Sequence, residues 1–293
     1  MKRTKISAPV AGCMRWGIWG ADFSTVQYRN IIEACLQNGI HSFDHADIYG
    51  DYTTEAGFGA ALKENSSLRL QLKLISKCGI QMLTPNRPEH SIKSYNSSRK
   101  HILASVEQSL KNFHTDYLDV LLIHRPDYLL DPAEIAESVT QLKQEGKIIE
   151  FGVSNFLPHQ VDLLANYTRI DYNQVEVSIV QRKALEDGTL DNCLKHGITP
   201  MAWAPLGGGA FTDEAHPRFR MISATAAVLA EKYGTGLNEI LLAWLNTHPS
   251  GIVSVIGTTK IERLIQAKAA AEIKLEREDW FKLLAAASGE DVA

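Results

Sequence analysis

No stretch of the 293-residue chain offers the ~18 consecutive apolar residues that a membrane span requires. The start, "MKRTKISAPVAG", is basic but has no apolar core behind it, so a secretory leader is not expected. Cysteine is scarce and scattered. Cys13, Cys35, Cys78 and Cys193 form no close pair and no metal-ligand spacing, which predicts reduced thiols in a cytoplasmic protein rather than a disulfide framework. Neither sign of charge dominates: a net charge of -4 and a pI near 6.2 give no global attraction to nucleic acid or an anionic membrane. No GxGxxG follows the first strand-like run, which disfavours an open dinucleotide-binding sheet. No linker breaks the chain either, so residues 1–293 are expected to form one domain.

What the chain does have is alternation. Short β-rich runs are separated by helical patterns: "VAGCM" (10–14), helix 26–38 ended by Gly39, "SFD" (42–44), "LQLKLISK" (70–77), helix 98–113 and "YLDVLLIH" (117–124). Helix 132–145, "IIEFGVS", helix 158–166, "YNQVEVS", helix 188–196 and "ITPMAWAP" follow. Helices 222–233 and 237–247, "IVSVIG", helix 260–269 and a closing amphipathic helix 276–287 complete the series. The near-continuous apolar run in 117–124 suits a strand covered on both faces, as in a parallel sheet. Eight such units predict an α/β fold, a closed (β/α)8 barrel of the TIM type, with an open doubly wound sheet as the alternative. The irregular stretch 79–97 reads as an ordered insertion after the third strand and a candidate substrate flap.

On this frame the unusual polar residues collect at C-terminal strand ends, where barrel enzymes keep their active sites. Asp44 ends the second strand, Lys77 the third and His124 the fourth. Ser154 and Asn155 follow the fifth and Gln174 lies in the sixth. Pro205, Leu206 and Gly207 follow the seventh, and Gly257, Thr258 and Thr259 the eighth. The segment "HSFDHADIYGDY" (41–52) admits two readings, a metal site built on His41, His45 and the aspartates, or chemistry centred on Tyr49. A phenol titrates near 10, and a neighbouring ammonium would lower that value. Lys77, held charged by Asp44, is the expected ammonium. Tyr49 would then give a proton to a carbonyl oxygen that His124 helps to position, and a hydride donor would be needed.

The blocks "GCMRWG", "FDHADIYG", "SKCGI", "YLDVLLIHRPD", "FGVSNF", "NQVEVS", "AWAPLGGG" and "SVIGTTKIERL" resemble, in order and approximate spacing, those of the aldo-keto reductases. The likeness is to the bacterial branch with the "HADIYG" form. It implies that Asp44, Tyr49, Lys77 and His124 form a catalytic tetrad, which settles the opening segment for the tyrosine and against a metal. It also implies NADPH/NADP+ bound across the barrel mouth. Ser154, Asn155 and Gln174 would meet the nicotinamide carboxamide, Trp203 would stack on the ring, and the backbone of Pro205–Gly209 would approach the pyrophosphate. Gly257, Thr258, Thr259, Lys260 and Arg263, at a helix start suited to phosphate, would take the 2′-phosphate end. Gln266-Ala267 departs from the Glu-Asn common there. Trp16, Trp19 and Phe156 are candidate pocket walls, the two tryptophans being equally candidates for packing. The segment 207–221 is a candidate lid.

The expected activity is reduction of an aldehyde or ketone, with a small-molecule carbonyl substrate, no nucleic-acid or membrane partner, and a monomer or small oligomer. The alternative is an NADP(H)-binding sensor or partner subunit on the same barrel, with slow or vestigial turnover.

Overall fold

The described residues include ten strands, most of them separated by helices, and eight of the strands close on one another. In the computed structural model, which describes residues 6–212 and 217–291, they are β1 (Val10–Gly12), β2 (Ser42–Asp44), β3 (Lys73–Cys78), β4 (Ile80–Gln81), β5 (Ser94–Tyr95), β6 (Leu118–Ile123), β7 (Ile148–Ser154), β8 (Tyr172–Glu176), β9 (Thr199–Trp203) and β10 (Val253–Ile256). The barrel order is β1-β10-β9-β8-β7-β6-β3-β2, all pairs parallel, while β4 and β5 form a separate antiparallel hairpin inside the insertion. The closed (β/α)8 barrel expected from the alternation is therefore the observed architecture.

Strand parity explains how the barrel fills. Side chains alternate between its lumen and the helical layer. Val10, Ile75, Val120, Leu122, Tyr172, Met201, Val253 and Val255 pack together as one buried cluster within the lumen. A much larger cluster, including Phe43, Leu74, Leu121, Phe151 and Val153, joins the opposite strand faces to the helices. Every residue of β6 is buried because both faces are covered. At Gly152 a Cβ would come within 2.5 Å of the Tyr172 carbonyl, so the lumen admits no side chain there.

Local chemistry sets the helix ends. Ser24 caps helix Thr25–Gln37 in a reciprocal box with Gln27. Asp131 caps helix Pro132–Gln144, whose proline occupies a first-turn position where no amide is needed. His114 closes helix Arg99–Phe113 in the left-handed conformation.

Three segments differ from the sequence expectation. Strand β3 starts at Lys73, because Ser66–Gln71 winds into a 3-10 turn that leaves Leu70 82% exposed. A helix, Thr54–Glu64, also fills the gap between β2 and β3. Its glycines disguise it in the sequence. Gly59 is required there, since a Cβ would lie 1.9 Å from the Asn112 carbonyl of the neighbouring helix. Helix Pro217–Tyr233 begins before residue 222. Among the described residues no helix is long and apolar enough to cross a membrane.

Candidate active site

The two-residue step that fills the lumen also builds the site. Asp44 lies two residues beyond Ser42, Lys77 beyond Ile75, His124 beyond Leu122, Ser154 beyond Gly152 and Gln174 beyond Tyr172. These polar side chains form the next layer up, at the C-terminal end of the barrel. Tyr49 reaches this layer from the β2 loop. The chain there makes a sharp turn in which Gly50, Asp51 and Tyr52 all have positive φ (57°, 53° and 69°). A Cβ on Gly50 would lie 2.5 Å from Thr54 Oγ1. Such left-handed geometry, costly for a residue with a side chain, fixes where the phenol emerges.

Lys77 is the hub. Its Nζ donates to Asp44 Oδ2 at 2.8 Å, to the His45 carbonyl at 2.6 Å and to the Tyr49 hydroxyl oxygen at 3.0 Å. An ammonium has three N–H donors, so all three are used. Asp44 is equally occupied, since its Oδ1 accepts from Gln174 Nε2 at 2.8 Å. Lys77, Asp44 and Tyr49 are buried, and an ion pair in such surroundings is tolerable only with hydrogen bonds of this kind. Burial acts to lower the Lys77 pKa, but Asp44 and Tyr49 outweigh it and the net shift is upward, so the ammonium stays charged. Because the Tyr49 oxygen accepts from Lys77, its own O–H remains available to donate elsewhere.

The phenol's pKa moves opposite to the sequence expectation. Burial raises it, Lys77 pulls it back, Asp44 adds to the rise, and the net is upward from 10.0. Tyr49 is thus a protonated group throughout the neutral range, and Lys77 limits the penalty of its ionisation. His124 faces it edge-on, ring centroids 6.1 Å apart. Burial first, then the charges of Lys77, Arg125 and Lys93, hold His124 well below 6.5, so its ring is neutral. A neutral imidazole offers one N–H.

Beside this group, three side chains form a short chain of hydrogen bonds. Trp203 Nε1 donates to Asn155 Oδ1 at 3.0 Å, Asn155 Nδ2 to Ser154 Oγ at 2.7 Å, and Ser154 Oγ to the Gln174 carbonyl at 2.9 Å. Asn155 and Ala204 adopt positive φ, 59° and 48°, which marks both margins of this platform as strained. Gln174 Oε1 has no hydrogen-bond partner among the described residues, and Asn155 retains one amide hydrogen. That is a donor–acceptor set suited to a primary carboxamide.

Further round the rim, Leu206 packs on both large clusters and Pro205 is buried. Gly207–Thr212 is a 3-10 turn with Gly208 and Gly209 left-handed and exposed. Of the candidate lid 207–221, residues 213–216 lie outside the described residues. Gly257 is exposed, Thr258 buried and Thr259 half-buried. Helix Ile261–Ala270 starts after Lys260 with no side-chain cap. The Lys260 and Arg263 side chains are exposed and make no ion pair among the described residues, so two unpaired cations belong to the helix start, where first-turn amides lack intrahelical partners.

The aldo/keto reductase family model matches residues 10–287. The chain belongs to this family. It is 44% identical over 291 residues to the uncharacterized oxidoreductase YcsN of Bacillus subtilis (strain 168), covering 98% of this chain and 96% of the relative. It is 38% identical over 287 residues to a 6-dehydroglucose reductase of Agrobacterium fabrum (strain C58 / ATCC 33970), covering 95% of each. Among solved structures, the aldo-keto reductase from Klebsiella pneumoniae in complex with NADPH superposes with a TM-score of 0.75 at 27% identity, covering 94% of this chain and 88% of that one. This chain is accordingly an oxidoreductase of carbonyl chemistry.

Within this aldo/keto reductase the candidate pocket residues separate. Trp19 is half-buried with its ring 6.3 Å from that of Tyr49, a position that lines the mouth. Trp16 does not. It is fully buried among Phe23, Tyr28, Phe43 and Phe58, and its Nε1 donates to the Thr258 carbonyl at 2.8 Å, so it braces the Thr258 loop from inside. Phe156 is likewise fully buried in the core. The two histidines of the opening segment part company. His41 is exposed with Nδ1 on the Gln71 carbonyl, while His45 is wedged between Phe58 and Phe113 at 4.6 and 5.0 Å.

Sequence reasoning missed two features. Glu55, on the helix it also missed, is buried and accepts from Ser76, Ser109 and Asn112, tying β3 to the helices behind Lys77. Arg125 sits in the "IHRPD" block immediately after His124. Its adjacency was the available signal.

Proposed function

We propose that this aldo/keto reductase binds NADPH across the barrel mouth and reduces an aldehyde or ketone to the alcohol, with Tyr49 as the proton donor. The observation that carries this reading is the Tyr49 hydroxyl, 3.0 Å from a fully engaged Lys77 ammonium. NADPH supplies the hydride when bound. As carbonyl oxygen gains negative charge, the Tyr49 O–H protonates it. The nearby ammonium stabilises the phenolate left behind, which is charge stabilisation aimed at the transition state. Asp44 holds Lys77 in place, and the neutral His124 ring donates an N–H to the same oxygen. Trp19 excludes water from one side.

The cofactor residues fit the group. Gln174 Oε1 and the spare Asn155 amide hydrogen suit the carboxamide, Trp203 offers a flat aromatic face, and exposed Gly208 and Gly209 let a pyrophosphate approach the backbone. Lys260, Arg263 and the free helix amides suit the 2′-phosphate. The NADPH complex of the Klebsiella protein and the 6-dehydroglucose reductase name of the Agrobacterium relative support NADPH and an aldehyde, respectively.

The test is NADPH oxidation by the purified chain with an aromatic aldehyde, scoring alcohol formed per cofactor consumed. One-to-one stoichiometry supports the reading. Tight NADPH binding with no turnover of aldehydes, ketones or quinones contradicts it and favours a sensor or partner subunit.

A further inference from the structure

Arg125 follows β6 directly after His124, half-buried at the barrel mouth. Its guanidinium makes no hydrogen bond and no ion pair among the described residues, and it lies over the Trp203 ring, 6.0 Å from the centroid. Buried Arg69 is the contrast. Arg69 spends its donors on Asp119, Thr115 and the carbonyls of Leu72 and Tyr117. The carboxylate two residues from Arg125 is engaged elsewhere. Asp127 Oδ2 accepts from the Ser97 backbone and hydroxyl, and its Oδ1 accepts from the Leu129 amide. Lys93, on the insertion, also lacks an ion-pair partner among the described residues. The positive charges of both act on His124. The result is a guanidinium fork with no counter-anion, one residue from a group assigned to the substrate oxygen.

We propose that Arg125, assisted by Lys93, is an anion subsite, and that the substrate is a carbonyl compound bearing a carboxylate away from its reacting carbon. The inference rests on the carbonyl-reductase reading of this same site. A planar guanidinium binds a carboxylate through two parallel N–H bonds, which fixes orientation as well as affinity. Anchored there, the substrate presents its carbonyl toward Tyr49 and His124, between the Trp19 and Trp203 rings. Lys93 is exposed and adds attraction that salt screens. Arg125 acts on specificity, and the proton still comes from Tyr49.

Two aldehydes with the same reacting group separate the possibilities: 4-carboxybenzaldehyde and methyl 4-formylbenzoate, at saturating NADPH. The wild-type kcat/KM for the carboxylate is expected to exceed that for the ester by roughly tenfold or more, the scale of one charge-assisted hydrogen bond. In Arg125→Gln that ratio is expected to fall to about one, mainly through KM, with NADPH affinity retained. In Lys93→Ala the ratio should fall less, and only at low salt.

Equal turnover of acid and ester by wild type overturns the anion subsite while leaving the reductase reading intact. So does a preference that survives Arg125→Gln. Loss of NADPH affinity in Arg125→Gln overturns it too, by assigning the guanidinium to a cofactor phosphate. Failure of both aldehydes to oxidise bound NADPH takes down the reductase reading and the subsite with it.

Discussion

Lys77 Nζ stands 3.0 Å from the Tyr49 hydroxyl oxygen, held there because its other two donors go to Asp44 and the His45 carbonyl. The pair sets a balance. Burial raises the phenol's pKa and the ammonium restrains the rise, so the proton is kept until a basic oxygen forms beside it. Lys77→Met removes the restraint and leaves Asp44 buried without its ion-pair partner. Turnover is expected to fall by roughly a hundredfold or more, with a loss of stability of about 3–5 kcal/mol. Kinetics and chemical denaturation check the two effects separately. Undiminished kcat in a folded variant would show that Lys77 only braces the barrel.

Gly50 is expected to tolerate no side chain. Its φ of 57° and the 2.5 Å approach of a Cβ to Thr54 Oγ1 act together in Gly50→Ala. Left-handed backbone alone costs about 1–2 kcal/mol for a residue with a Cβ. Because Tyr49 is the preceding residue, kcat should drop along with the midpoint of urea unfolding. Wild-type kinetics and stability in this variant would mean that the turn readily adopts another path.

His45 predicts a pH dependence. Burial, then the charge of Lys77, lowers its pKa from 6.5 to about 3, so between those values the unfolded chain binds the extra proton. Its contribution is therefore fully present above pH 6.5 and is lost as the pH falls toward 3. His45→Phe, in a site already lined by Phe58 and Phe113, removes that dependence. Melting temperatures from pH 7 to pH 4.5 should fall less steeply in the variant than in wild type. Parallel curves would show that His45 binds its proton as readily in the fold as in the unfolded chain.

The 2′-phosphate assignment predicts a selective loss. Removing both unpaired cations in Lys260→Ala/Arg263→Ala should raise the KM for NADPH by roughly ten- to a hundredfold and barely change that for NADH. Paired measurements with the two cofactors decide it. An equal rise for both would move the phosphate site elsewhere on the rim.

The barrel was legible because its strands obey simple rules. "LDVLLI" is apolar on both faces, and the two-residue step that carries Ile75 to Lys77 and Leu122 to His124 put the polar groups at one end of the lumen. The helix Thr54–Glu64 was hidden by its glycines, whose reason is the approach of Asn112 from a different helix. Trp16 could not be assigned from its position near the first strand, because what buries it comes from Phe43 and Phe58, distant in sequence. The direction of the Tyr49 shift was misjudged for a related reason. A neighbouring lysine is visible in a sequence, whereas the burial that outweighs it is a tertiary property. Arg125 stood in plain view, but its lack of a counter-charge is known only once Asp127 is seen bound to Ser97 and Leu129.

The most direct test of the proposed chemistry compares wild type with Tyr49→Phe, a change that removes one hydroxyl and keeps the ring. NADPH affinity, measured by fluorescence titration, is expected to be retained, while turnover of an aromatic aldehyde collapses by several orders of magnitude. Turnover close to wild type in Tyr49→Phe, with NADPH still bound, would contradict Tyr49 as the proton donor.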